Sequence, residues 1–255
     1  VVGDEVVDDD APVAVVTGAS RGLGAGLVER LLDLGWRVAC CARSAPSFPD
    51  APVGRLLTAA VDVTDAGAVE GYADAVETRF GPVTLWVNNA GVLGPIGPAR
   101  DADPAEVHRA LAINVGGAFV GSAAFARRAR RWPPGRRVLV NIGSGAGTSV
   151  YPGWSVYGPT KAAVDHLSRH LAAEEPDLVV ASVAPGVVDT DMQREIRASD
   201  EARFPAIERF RDLQRTGAYN SPTWIADHLV ALVDGTWVPD GVVARVPDEP
   251  RPAPR

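Results

Sequence analysis

Cysteine is nearly absent, with two residues among 255, which excludes a disulfide-stapled scaffold. Cys40 and Cys41 are neighbours in what reads as a strand, where successive side chains point to opposite faces, so two small core residues are expected rather than a bridge. Reduced thiols fit a cytoplasmic location. Long apolar runs are missing too. The most apolar stretch, residues 111–126, is broken by Asn114, Gly116, Gly117 and Gly121. It falls short of the roughly 18–20 residues that cross a bilayer, so no membrane span is expected. There is no basic excess either: 25 Lys and Arg stand against 32 Asp and Glu, a net charge of -7. That balance argues against nucleic acid or an anionic membrane as the main partner. The start of the chain lacks a basic segment followed by an apolar one, as a secretion signal would have. It carries Asp4, Glu5, Asp8, Asp9 and Asp10 instead, and residues 1–11 read as a disordered acidic tail.

What is present is a regular alternation. Short apolar runs at 12–17, 37–42, 56–61, 83–87, 137–142, 178–183 and 241–246 read as strands, and helical spacing at 22–34, 65–80, 103–131, 156–174 and after Ser221-Pro222 separates them. Asp103-Pro104 is a helix start, and Gly116-Gly117 should distort the helix that follows. Strands alternating with helices imply an α/β fold: a doubly wound, mostly parallel Rossmann-type sheet covered on both faces. With 46% apolar residues and no dividing linker, residues 12–246 form one domain. Residues 187–220 show no matching crossover helix and are expected as a substrate lid. Residues 247–255 are Pro-rich and expected to be loose.

Between the first strand and first helix lies Thr17-Gly18-Ala19-Ser20-Arg21-Gly22-Leu23-Gly24. Glycines there let the backbone approach a pyrophosphate, which the helix N-terminus then holds through free N–H groups and its dipole. The spacing is G-x3-G-x-G, looser than the G-x-G-x-x-G fingerprint. An acid closing the second strand would bind the 2′-hydroxyl of NAD. That strand ends instead in Cys40-Cys41-Ala42-Arg43, and Arg21 lies in the glycine loop. Two guanidinium groups suit a 2′-phosphate, hence NADPH or NADP+.

Tyr157 and Lys161 are four apart on a helix and share a face. A nearby ammonium favours the phenolate and should lower the tyrosine pKa. Ser144 ends the fifth strand and Asn88-Asn89-Ala90-Gly91 the fourth, both at the carboxyl edge of the sheet, where ligands of such folds bind. Asn114 lies in the long helix and Asp62 follows the third strand.

This ordered set, from the 17–24 loop through Asp62, Asn88 to Gly91, Asn114, Ser144, Tyr157-x-x-x-Lys161 and Pro185-Gly186 with Thr190, resembles the motifs of the short-chain dehydrogenase/reductase family over roughly residues 13–192. The resemblance implies hydride transfer from NADPH to a carbonyl, with Tyr157 as proton donor. Ser144 would hold the substrate oxygen, Lys161 would bind the nicotinamide ribose, and Asn114 would hold a water in a proton relay. Cofactor contacts would come from Gly18, Ser20, Arg21, Gly22, Leu23, Gly24, Arg43, Asp62, Val63, Asn89, Ala90, Gly91, Tyr157, Lys161, Pro185, Gly186, Val188 and Thr190. Among these, Asp62 would meet the adenine, Asn89 the adenosine side and Val188 the carboxamide. The family pairs its two long helices across a two-fold axis, which implies a homodimer or homotetramer. In two places the chain departs from the family. Gly143 stands where a first serine is common, and the C-terminal strand is closer to the sepiapterin and benzil reductase branch.

The substrate walls should include Leu93, Tyr151, Trp154 and Met192, with Ile96, Val187, Phe204, Ile207 and Phe210 in supply. Such walls suit a small-molecule ketone with an apolar body, and Arg194, Arg197 and Arg203 could hold a distant acidic group at the rim. His166 and His170 share a helix face but lack a third ligand, so no metal is expected. The cluster Arg127, Arg128, Arg130, Arg131, Arg136 and Arg137 reads as a solvated helix end, with an acidic carrier protein as the sharper alternative. A 3-oxoacyl-carrier-protein-type reductase is accordingly the second reading. A non-catalytic dinucleotide sensor is a third, and a serine hydrolase lacks its G-x-S-x-G elbow around Ser144.

Overall fold

The computed structural model describes residues 10–251, so the acidic tail, but for its last two residues, and residues 252–255 lie outside the described residues. Seven strands form one sheet: β1 (Val13–Thr17), β2 (Arg37–Ala42), β3 (Leu56–Ala60), β4 (Leu85–Asn88), β5 (Val138–Ile142), β6 (Val179–Ala184) and β7 (Val243–Arg245). Their order is β3-β2-β1-β4-β5-β6-β7, and every pairing is parallel. Strand order reverses between β1 and β4, which opens a crevice at the carboxyl ends of those strands.

Among the described residues eight α-helices accompany them: α1 (Gly22–Asp33), α2 (Ala66–Phe80), α3 (Pro104–Leu111), α4 (Gly117–Ala129), α5 (Tyr157–Glu174), α6 (Asp191–Arg197), α7 (Ile207–Thr216) and α8 (Pro222–Asp234). Their starts follow local chemistry. The Asp65, Asp103 and Ser221 side chains each accept from a first-turn N–H, and Pro follows Asp103 and Ser221 at once.

The strands are buried on both sides, and period-two alternation divides each between two cores. Ala14, Val16, Val38, Cys40 and Val140 pack against Leu27, Leu31, Ile225 and Leu229 of α1 and α8. Val13, Val15, Cys41, Trp86 and Leu139 pack against Tyr72, Val76, Phe125 and Leu171 of α2, α4 and α5. Cys40 and Cys41 therefore face opposite layers as free thiols, and burial pushes both up to about 12. At such values they are unreactive core residues.

The expected distortion of the long helix is present, and two other sequence expectations are corrected. The distortion near Gly116-Gly117 is a π-helical turn, Ala112–Gly116, and α3, this turn and α4 run as one 26-residue helix. By length and composition that helix is apolar enough to cross a membrane, though half of its most apolar window is buried in the protein. Its glycines and alanines face the sheet, which is why interruptions that shorten the apolar run do not shorten the helix. The segment 187–220 holds two helices, α6 and α7. Helix α7 was hidden by its charge: Glu208, Arg209, Arg211, Asp212 and Arg215 surround an apolar stripe of Ile207, Phe210 and Leu213. Finally, the stretch after β7 is tied down as far as Glu249. Its carboxylate accepts from the Ser221 N–H at 2.6 Å and hydroxyl at 3.0 Å, and the Pro247 carbonyl accepts from Trp224 Nε1 at 2.9 Å.

Asn220 closes the 187–220 segment. Its N–H donates to the Val187 carbonyl at 2.8 Å, and its side-chain amide donates to Pro185 at 2.9 Å and to Pro247 at 3.2 Å. The arginine cluster is largely neutralised within the chain. Arg127 and Arg128 pair with Glu70, Arg128 also with Asp74, Arg131 with Glu77, and Arg130 with Glu175. Arg128 is only 4% exposed, so part of this cluster is structural rather than a docking surface.

Candidate active site

The crevice is a cleft of about 1050 Å³ along the carboxyl edge of the sheet. That exceeds a typical small-ligand pocket, roughly 300–1,000 Å³. The catalytic, cofactor and substrate residues expected from sequence line it, except Asn114 and, among the further wall residues, Phe204 and Ile207.

At one end, β1 passes into the glycine loop. Gly18 has φ +67°, and a Cβ on it would sit 2.6 Å from the Ala90 Cα, so the loop is pressed against the end of β4. Asn89 holds it there: its side-chain amide donates to the Thr17 and Gly18 carbonyls at 2.9 and 3.1 Å, while the Thr17 hydroxyl accepts from the Asn89 and Ala90 N–H groups. Asn89 thus props the loop, where the resemblance implied contact with adenosine. Helix α1 starts at this loop with Arg21 at its N-cap, which makes no capping bond. Its first N–H groups are the kind that hold an anion.

Arg43 and Asp62 close this end, both exposed on the cleft. Asp62 accepts from the Thr64 N–H at 2.9 Å and hydroxyl at 2.8 Å; these bonds, with Arg43 beside it, hold its carboxyl below the usual range. Arg21 is engaged elsewhere, 3.2 Å from Asp191 at the start of α6. Both arginines line the cleft, Arg43 at the strand end and Arg21 leaning on α6. A glycine loop pressed out of the way, an uncapped helix start and Arg43, Asp62 and Lys161 along one cleft fit a nicotinamide dinucleotide.

At the other end stand Ser144, Tyr157 and Lys161. Ser144 leaves β5 in extended backbone and accepts from the Ala146 N–H at 3.1 Å, turning the chain toward α5. Tyr157 opens α5. Burial raises its pKa above the ordinary 10, and the Ser144 hydroxyl, hydrogen-bonding to it, opposes that rise. Lys161, the one lysine of the sequence, lies a turn further on, its Nζ 5.8 Å from the Tyr157 ring centre and donating to the Ile142 carbonyl at 2.7 Å. Burial brings it down to about 8, against the pull of Asp165. Burial, and not the expected pull of Lys161, sets the direction of the Tyr157 shift and favours the phenol over the phenolate.

Asn114 lies in the π-helical turn, buried behind Gly91 and Val92 of the cleft wall. Its Oδ1 accepts from the Val92 N–H and its amide donates to the Val92 carbonyl, both at 2.8 Å, and to the Thr160 hydroxyl at 3.0 Å. Every hydrogen of that side-chain amide is in use, so a relay water would have to be held by the main chain of the wide turn, a form common at functional sites.

Between the two ends, Leu93, Ile96, Tyr151, Trp154, Met192, Ile196 and Phe210 give apolar and aromatic walls. Trp154 stacks on Phe204 at 4.8 Å and meets Tyr157 edge-on at 5.3 Å. Phe204 and Ile207 do not line the cleft; they are fully buried behind Trp154. The rim arginines are also reassigned. Arg194 pairs with Asp191, Arg197 binds the Tyr219 hydroxyl at 2.9 Å, and Arg203 packs against Gly97, whereas Arg209 lines the cleft and holds the Tyr151 hydroxyl at 2.8 Å. Sequence reasoning missed Ser44, Asp191, Gln193 and Arg209. Of these, Ser44 was marked by following Arg43 directly. His166 and His170 hydrogen-bond to each other, Nε2 to Nε2 at 3.2 Å, on the exposed side of α5.

Residues 12–201 match the short chain dehydrogenase family model. The benzil reductase ((S)-benzoin forming) of Bacillus subtilis is 33% identical over 229 residues, which cover 86% of this chain and 92% of that protein. The sepiapterin reductase of Meriones unguiculatus is 35% identical over 199 residues, covering 71% and 76%. Among solved structures, KRED1-Pglu superimposes with a TM-score of 0.82 at 33% identity, covering 91% of this chain and 98% of that one. By the family match and these relatives, this chain, with its all-parallel seven-stranded sheet, is an oxidoreductase of the short-chain dehydrogenase family, on the branch that holds the benzil and sepiapterin reductases.

Proposed function

We propose that the protein is an NADPH-dependent reductase of ketones and diketones with an apolar, largely aromatic body. The observation that carries this reading is the buried side chain of Tyr157, with Ser144 and Lys161 beside it, in an aromatic-walled cleft. The bound nucleotide supplies the hydride. Tyr157 Oη delivers the proton to the carbonyl oxygen, and the Ser144 hydroxyl holds that oxygen in place. Lys161 holds the ribose with its ammonium and favours the phenolate once the proton has left. The N–H groups of Gly22 and Leu23 hold the pyrophosphate, Asp62 the adenine and Val188 the carboxamide, while Arg43 selects the 2′-phosphate. The segment 187–220 closes over the substrate and excludes water.

Apolar walls reward buried area by roughly 25 cal/mol per Å², and they would leave the hydroxyls of a sugar unpaired. A relative that reduces benzil agrees with that preference. The carrier-protein alternative loses Arg128 from its docking patch, since that residue is buried and paired with Glu70 and Asp74. We assign the working state as a cytoplasmic dimer or tetramer.

The test is loss of reduced-nicotinamide absorbance on a panel of benzil, monoketones, aldehydes and aldoses, with NADPH and with NADH. Benzil and bulky ketones should be reduced best, and Tyr157→Phe should lower turnover at least about a hundredfold. Aldoses as the best substrates, or a smaller loss in Tyr157→Phe, would overturn the reading.

A further inference from the structure

Among the described residues Asp165 is the one buried acid, 3% exposed, and the reaction as derived gives it no task. It lies one turn beyond Lys161 on α5. Its Oδ1 accepts from the Ser182 hydroxyl on β6 at 2.6 Å, and its Oδ2 has no hydrogen-bond partner. The carboxylate fills the space beneath the turn that carries Ser144. A Cβ on Gly143 would come 2.7 Å from Ser182 Oγ and 3.1 Å from Asp165 Oδ1, and one on Gly147 would come 2.6 Å from Oδ2. Gly143, where the resembled family often has serine, thus makes the room this pair needs. A half-paired buried carboxylate is a net cost to folding. Lys161, one turn back on the same face of α5 and buried as well, packs on the same turn, its ammonium on the carbonyl of Ile142, the residue before Gly143.

We propose that Asp165 is a positioning residue: its carboxylate, clamped by Ser182 under the Ser144 turn, keeps Lys161 in its ammonium form. Lys161 points its ammonium at the Ile142 carbonyl, so Asp165 acts on it through space. The two titrate reciprocally. Burial draws Lys161 down while Asp165 resists, and burial draws Asp165 up while Ser182, Arg169 and Lys161 resist. Other elements packed on α5 add little charge. Strands β5 and β6 and the 112–116 turn carry no titratable side chain; α3 brings Glu106, His108 and Arg109, β7 brings Arg245, which pairs with Asp248, and α5 itself adds Tyr157 and Arg169.

The role of Lys161 assumed here rests on the proposed reduction, but its titration can be read without turnover. Because the sequence has one lysine, protein labelled with carbon-13 at the lysine ε-carbon gives a single side-chain signal. Its midpoint should lie near 8 in the unmodified chain. In Asp165→Asn it should fall by about one pH unit or more, the usual effect of an opposite charge at short range. The double change Asp165→Val with Ser182→Ala replaces both partners by apolar groups, which keeps the fold and should give the same fall. The alkaline limb of kcat/KM for benzil should move with it. An unchanged midpoint in either folded variant overturns the proposal, even if the melting temperature drops. A shifted midpoint in a protein that reduces no ketone upholds Asp165 and defeats the carbonyl reductase reading instead.

Discussion

Arg43 and Arg21 are equivalent candidates in the sequence, but the structure makes them unequal. Arg43 is exposed on the cleft at the end of β2. Arg21 is held by Asp191 at 3.2 Å. Charge-assisted hydrogen bonds to a phosphate contribute about 1.5–3 kcal/mol, so Arg43→Ala should weaken NADPH roughly tenfold to 150-fold while leaving NADH nearly unchanged. Because Arg43 is solvent-exposed, the fold should lose no more than about 0.5 kcal/mol. Arg21 must first leave Asp191, an exposed pair that contributes about 0.2–1 kcal/mol, so Arg21→Ala should cost less than Arg43→Ala. Arg43→Asp should reverse the preference. Dissociation constants for both nucleotides, from nucleotide fluorescence at fixed salt, check all three variants. An unchanged NADPH to NADH ratio in Arg43→Ala, or a larger loss in Arg21→Ala, would refute the assignment.

Tyr157→Phe should lower kcat by about 10²–10⁴ with NADPH affinity intact, measured by turnover and fluorescence side by side. Trp154 is buried among Tyr151, Tyr157, Phe204 and Phe210, so Trp154→Ala should cost about 3–5 kcal/mol and roughly 6–20 °C in Tm. It should also raise KM for bulky ketones more than for small ones. Lys161 titrates near 8 when folded against an ordinary 10.5, so between those values the unfolded chain binds the extra proton. Stability therefore rises with pH across that window. Relative to Lys161→Met, the unmodified protein should gain up to about 1.4 kcal/mol per pH unit from 8 to 10, seen in paired denaturant melts. Sedimentation at micromolar concentration should show a dimer or tetramer; a monomer alone would remove the assembly proposed above.

Much of the site was legible because its chemistry is local. The glycine loop, the Tyr157-x-x-x-Lys161 turn and the caps at Asp65, Asp103 and Ser221 are each set by residues within a few positions of one another. What local sequence did not show is the partners distant along the chain. Arg21 meets Asp191 only after the chain has crossed the sheet, and the Asn89 and Asn114 amides are taken up by the carbonyls of Thr17, Gly18 and Val92. Helix α7 escaped notice because its stability comes from charge pairs and from three apolar residues set against Trp154 and Tyr151, a surface that no pattern within α7 reveals. Asp165 is the extreme case: on α5 it reads as one polar residue among several, and only Ser182 on another strand gives it a setting.

The bond from Asn220 to the Val187 carbonyl means that 187–220 begins and ends at one point. Such a closed loop can change in length at little cost, since closure entropy grows only with the logarithm of the number of residues. Ancestors of this chain could therefore have exchanged or rebuilt the whole segment while β6, α5 and the proton donor stayed fixed. Substrate range and chemical step would then evolve on separate parts of the chain, and a graft of another relative's segment between Val187 and Asn220 should alter which ketones enter before it alters how they are reduced.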